Sequence, residues 1–156
     1  MVGTTSALPR MGLGMAALGR PGYINLGREN SNSGIGPPEV RTVEVMRDAS
    51  DAAMRANVRL AAVSGELPWF DCARSYGRSE EFVGNFFRKE GINPSEVYVS
   101  SKWGYSYVAG WKVSLDDGEP HEVKDHLSAD SLHMTSFRHG ILLQMNIKVF
   151  VLERNL

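Results

Sequence analysis

The chain has 156 residues, the usual length of one domain. Its 42% hydrophobic and 22% charged residues exclude wholesale disorder. Seventeen basic against eighteen acidic residues give a net charge of −1, which excludes the basic footprint of a nucleic-acid binder. No run of eighteen apolar residues is present, so no membrane span is expected. The single cysteine, Cys72, leaves no internal disulfide, and no Cys/His cluster marks structural zinc. These traits predict a soluble, cytoplasmic chain. The stretch from Met1 to Arg28 has no acid and carries Arg10, Arg20 and Arg28, so a plastid or mitochondrial destination is the alternative.

Short apolar stretches with glycine breaks from Ala7 to Leu18 predict a small hairpin or turn. Gly19 to Pro38 reads as a loop, crowded with Gly, Asn, Ser and Pro. Glu39 to Asn57 reads as a helix, with Val40, Val43, Met46, Ala49, Ala53 and Ala56 at helical spacing and Pro38 at its start. Trp69-Phe70-Asp71 reads as a short strand ending in an acid. Ser79 to Arg88 reads as a second helix, capped by Ser79, with Phe82, Val83, Phe86 and Phe87 as its apolar stripe. Gly91 and Pro94 end it. Val97 to Ser101 is β-branched and aromatic and reads as a buried strand running into Lys102. Val108 to Pro120 reads as a loop, His121 to His139 as a weak helix, and Ile147 to Leu152 as a possible strand. Alternating helices and strands predict a parallel sheet or barrel of βα units.

In parallel α/β folds, reactive groups gather just past the C-terminal ends of strands. Asp71 and Tyr76 follow one strand here, and Lys102 follows another. If the strands are neighbours, the three converge on one rim. A phenol holds its proton to a pKa of about 10, and a nearby ammonium stabilises the phenolate. A carboxylate beside the lysine keeps it charged and in place. Such a trio is a tuned proton donor, suited to an oxygen whose carbon receives hydride. Cys72 reads as a small buried side chain with no base to activate it. The four histidines, His121, His126, His133 and His139, lack the spacing of a helical zinc pair, so no metal is expected.

The segment Asp71-Cys72-Ala73-Arg74-Ser75-Tyr76-Gly77-Arg78-Ser79-Glu80, followed by Val83-Gly84, resembles the aldo-keto reductase signature. Ser100-Ser101-Lys102 resembles the family strand that ends in an active-site lysine, and Ala7 to Leu18 resembles the N-terminal hairpin and first barrel-facing loop. Trp103-Gly104-Tyr105 is similar to the galactose- and arabinose-dehydrogenase-like branch. The resemblance covers roughly residues 5 to 126. It implies a (β/α)8 TIM barrel that uses NADP to interconvert aldehydes, ketones or sugars and alcohols. Tyr76 would be the general acid, Lys102 would stabilise its phenolate, and Asp71 would pair with Lys102. The backbone around Gly14, Met15 and Ala16 and the side chain of Asp71 would approach the nicotinamide half, and Trp103 would line the substrate pocket.

Such a barrel takes about 250 residues. The expectation is therefore a partial barrel over 1–126, an N-terminal hairpin plus about three βα units, with a divergent tail over 127–156. Leu60 to Pro68 reads as an insertion between helix and strand, and the strand read after Lys102, Ile147 to Leu152, carries no Asp-x-x-x-x-His pattern. A second class of function is a catalytically inactive barrel fragment or interaction module, associating through an open sheet edge. Because the barrel is partial and the orienting histidine is missing, the expectation for this chain is no measurable NADPH-dependent reduction of simple aldehydes.

Overall fold

The computed structural model describes residues 9–22, 41–102, 104–113 and 119–125. Residues 1–8, 23–40 (most of the 19–38 loop and the first two residues of the expected helix), Trp103, 114–118 and everything from His126 onward, including the expected tail, lie outside the described residues. The elements run β1 (Leu13–Gly14), α1 (Val43–Ser64), β2 (Trp69–Asp71), α2 (Ser79–Glu90), a 3-10 turn (Pro94–Glu96), β3 (Tyr98–Ser100), β4 (Gly104–Tyr107) and β5 (Glu122–Asp125).

The first three strands form one parallel sheet in the order β1-β2-β3. Leu13 lies opposite Phe70 and Gly14 opposite Asp71, while Phe70 lies opposite Val99 and Asp71 opposite Ser100. Of the hairpin or turn expected over Ala7 to Leu18, Ala7 and Leu8 lie outside the described residues; the rest holds the short strand β1, parallel to β2, and a tight turn in which the Leu18 and Gly19 amides donate to the Met15 carbonyl.

Alternate strand side chains face opposite sides of a sheet. Phe70 and Val99 point to the helix side, into a core with Met15, Met54, Cys72, Val83, Phe86, Phe87 and Val97. The Phe70 ring meets Phe87 edge-on at 5.4 Å and Phe86 at 6.4 Å. Each fully buried apolar side chain of this size contributes about 1.5–3 kcal/mol. Trp69, Asp71, Tyr98 and Ser100 take the other side, which carries the chemistry.

Helix α1 starts at Val43, where Thr42 Oγ1 accepts from the Val45 amide, rather than at Glu39. It runs two turns past Asn57, to Ser64, and stops at Gly65 in the left-handed conformation (φ 69°). The residues read as an insertion therefore mostly lengthen this helix. Leu60, Ala61 and Ala62 are strong helix formers, and the Gly65 and Glu66 amides close the end on the Ala62 and Ala61 carbonyls. The extension buries little: Leu60 is 67% and Val63 88% exposed. Helix α2 begins at Ser79, as expected, with Arg78 as a cap that makes no side-chain bond, and runs two residues past Arg88 to Glu90. Ser79 is not the cap. It is fully buried, and its hydroxyl donates to the Ala73 carbonyl. The two helices are tied by Lys89 to Asp51 at 2.9 Å and Arg55 to Glu90 at 2.8 Å.

Strands β4 and β5 form an antiparallel pair, with Gly104 opposite Asp125 and Tyr107 opposite Glu122. This corrects the helix expected from His121: residues 122–125 are a strand. Among the described residues no helix is long and apolar enough to cross a membrane.

Candidate active site

Asp71 is the last residue of β2, and Lys102 follows β3 by two residues. Because β2 and β3 are parallel and in register, both emerge on one rim. Lys102 Nζ donates to Asp71 Oδ2 at 2.5 Å and to the Cys72 carbonyl at 3.1 Å. The ammonium also sits 4.7 Å from the centre of the Tyr76 ring. The structure thus brings together the three residues picked from the sequence. Asp71 and Lys102 side chains are each about one-third exposed, so solvent reaches the pair. Burial pulls the Lys102 pKa down, but hydrogen bonds to Asp71 and Tyr76 outweigh it and hold the lysine above its ordinary value.

Tyr76 is positioned by a turn rather than by a strand. Its amide donates to the Ala73 carbonyl, and its carbonyl accepts from Ser79. Gly77 follows with φ 60°, a conformation that penalises side chains. A Cβ on Gly77 would collide with the Gly19 carbonyl oxygen, and one on Gly19 would collide with the Tyr76 carbonyl oxygen. The two glycines therefore let the β1 exit loop lie directly on the tyrosine turn. The Arg78 amide seals this contact on the Gly19 carbonyl at 2.7 Å.

Three groups with no role assigned from the sequence support the rim. Ser100 Oγ donates to Asp71 Oδ1 at 2.7 Å and accepts from Trp69 Nε1 at 2.9 Å. Arg20, buried, donates to the Ser75 carbonyl at 2.9 Å and lies 5.6 Å from the Tyr76 ring centre. It also pairs with Glu122 at 3.2 Å. Arg74 reaches Ser106 at 2.9 Å and Asp125 at 3.1 Å. The two arginines pin the β4–β5 hairpin beside Tyr76. They join residues about 30–100 positions apart, a separation at which sequence spacing carries no signal.

The nicotinamide-side residues fare differently. Gly14 is exposed, lies opposite Asp71, and has open space where a Cβ would point. Ala16 is half-buried on the same loop. Gly14 and Asp71 are thus neighbours across the sheet, with Ala16 two residues further along the chain. The Met15 side chain is fully buried in the core, its amide donates to the Asp71 carbonyl, and its carbonyl accepts from the Leu18 and Gly19 amides, so its backbone lies between Gly14 and Ala16 on the exit from β1. Lys102, Arg20 and Arg74 beside the rim are each paired with a carboxylate. Cys72 is fully buried, and desolvation pushes its thiol pKa far up, so it is not a nucleophile. Among the described residues no group of three or more His, Cys, Asp or Glu could hold a metal ion.

The model of the Aldo/keto reductase family matches residues 10–135, more than half of the chain. The chain belongs to the aldo-keto reductase family. The family is one of oxidoreductases built on a TIM barrel, and the parallel α/β architecture here agrees with that fold. A candidate aldo-keto reductase of known structure from Pseudomonas aeruginosa is similar to this family member at 25% identity, with a TM-score of 0.51, over 93% of this chain and 42% of its own. A second structure, also of a candidate aldo-keto reductase from that organism, has 25% identity and a TM-score of 0.49 over the same shares. The chain thus spans less than half the length of these solved structures. No curated protein matches it.

Proposed function

We propose that this aldo-keto reductase chain carries the proton-donating half of a site that reduces aldehydes, ketones or open-chain sugars with NADP(H). The observation that carries the reading is the Lys102 ammonium held at once by Asp71 and against Tyr76 at the sheet's C-terminal rim. Bound NADPH would supply the hydride that reaches the carbonyl carbon. Tyr76 donates its hydroxyl proton to the carbonyl oxygen as that oxygen gains negative charge. The phenolate left on Tyr76 faces Lys102, whose charge Asp71 fixes in place. Hydride and proton together turn the carbonyl into an alcohol, and Tyr76 recovers its proton from solvent at the open rim. The backbone around Gly14, Met15 and Ala16 and the Asp71 carboxylate are proposed to approach the nicotinamide. Trp103, next to Lys102 in sequence, is proposed to line the substrate side. The Trp103-Gly104-Tyr105 resemblance points to a sugar substrate of the galactose or arabinose kind.

A second reading, an inactive barrel portion or interaction module, is favoured by one observation. The described parallel sheet has three strands, with β1 and β3 at its edges. An unpaired edge is a template for another strand. The deciding experiment is aldehyde-dependent NADPH oxidation by the chain, beside Tyr76→Phe and Cys72→Ala. Turnover abolished in Tyr76→Phe and kept in Cys72→Ala supports the first reading. A folded chain with no turnover above background supports the second.

A further inference from the structure

A carboxylate that must hold a lysine in a half-open site needs its own orientation fixed. One oxygen of Asp71 contacts Lys102, and the other contacts Ser100. Ser100 is buried, at 4% exposure, on the strand beside Asp71 and in register with it. Its hydroxyl lies 2.9 Å from the Trp69 indole nitrogen. An indole N–H can only donate, an ionised carboxylate can only accept, and a hydroxyl can do both once. The direction of the chain is therefore forced: Trp69 donates to Ser100, and Ser100 donates to Asp71.

We propose that Ser100, locked by the Trp69 indole, is a positioning residue that turns the Asp71 carboxylate so that its second oxygen faces Lys102. The Ser100 hydroxyl is bonded to Asp71 and to Trp69, so it acts on Lys102 through Asp71. The proposal deepens the proton-donor reading and rests on it for its functional meaning. Without the Ser100 hydroxyl, Asp71 is free to rotate toward water, since its side chain is 31% exposed. Lys102 then loses part of the bond that keeps it charged and aimed. Trp69 has a second contact that favours the locked geometry. A Cβ on Gly12 would run into its ring, so the backbone just before β1 packs closely against the indole and limits its rotation.

The test reads Lys102 directly and needs no turnover. The chain has five lysines, so reductive methylation with carbon-13 formaldehyde gives few signals, and the Lys102 signal is the one lost in Lys102→Met. In the full chain, Lys102 should titrate above the exposed lysines. Ser100→Ala should bring it down by about 0.5 pH unit or more. Ser100→Thr, which keeps the hydroxyl, should restore it. Trp69→Phe, which keeps a ring but removes the N–H, should lower it by less; it serves as the second variant should Ser100→Ala fold poorly by circular dichroism. Asp71→Asn should produce the largest fall. A Ser100→Ala protein that is folded and titrates like the parent, while Asp71→Asn falls, overturns the positioning role and leaves the Asp71–Lys102 pair standing. No fall in Asp71→Asn overturns the pair itself, and with it the proton-donor reading.

Discussion

The β2–α2–β3 unit and the β4–β5 hairpin flank the same rim but are held there by different physics. The first rests on Phe70, Phe82, Val83, Phe86 and Val99, all buried. The second has Val123 exposed and is moored by Arg20 to Glu122 and by Arg74 to Asp125. Burial is insensitive to salt, whereas partly exposed ion pairs weaken as salt rises. The rim carrying Asp71 and Lys102 should therefore persist under conditions that release the wall beside Tyr76. That difference makes the hairpin the adjustable part of the site and the strand ends the fixed part.

The largest expected effect breaks the fixed part. Phe70→Ala removes a ring that contacts both Phe86 and Phe87 and should cost about 3–5 kcal/mol, read as a lowered urea midpoint. A loss within 1 kcal/mol would mean the β2 core is not what secures Asp71. Next is Gly77→Ala, which forces a side chain to φ 60° against the Gly19 carbonyl and should cost about 1–3 kcal/mol by thermal melting.

The pH dependence of stability sharpens the same contrast. Burial raises the Cys72 thiol pKa, so the folded chain keeps a proton that the unfolded chain releases. Stability should therefore fall as pH rises above about 8.5, the ordinary thiol value. Lys102, also raised in the fold, stabilises fully below the ordinary lysine value of about 10.4 and loses that contribution as pH climbs through its folded value. Denaturant melts from pH 7 to 10 should show a decline that Cys72→Ala flattens. An unchanged slope in Cys72→Ala would place the loss elsewhere.

The mooring itself should be weaker. Arg74→Ala removes a pair whose partners are 18% and 29% exposed, and about 1 kcal/mol or less of global stability should go with it. Hydrogen exchange should speed up at 104–107 and 122–125 while 69–71 and 98–100 stay protected. Uniform exchange across both regions would merge what is described here as two. The smallest effect is expected at the end of α1, where Leu60→Ser replaces a side chain that packs on little and should stay within about 0.5 kcal/mol.

The same contrast explains what the sequence made legible. Asp71, Tyr76 and Lys102 could be read because short windows at strand ends place them, and β-branched or aromatic residues mark those strands. Ser100 gave no warning, since a serine within a strand is ordinary until its neighbour across the sheet is known to be Asp71. The hairpin was misread because Glu122-Val123-Lys124-Asp125 has one apolar residue, and its partners Arg20 and Arg74 are distant in sequence. The end of α1 was misplaced because its apolar periodicity lapses after Val58. From there alanine propensity and the Gly65 cap, rather than burial, carry it on. The packing of the Met15 side chain into the core was equally hidden, because its apolar neighbours come from the helices and the other strands.

Aldehyde-dependent oxidation of NADPH at neutral pH, measured on the chain and on Tyr76→Phe side by side, tests the central claim most directly. The proton-donor account predicts turnover in the parent that falls by at least about 100-fold in Tyr76→Phe, the loss expected of a general acid. Turnover that survives the loss of the Tyr76 hydroxyl, or its absence from both proteins, would contradict it.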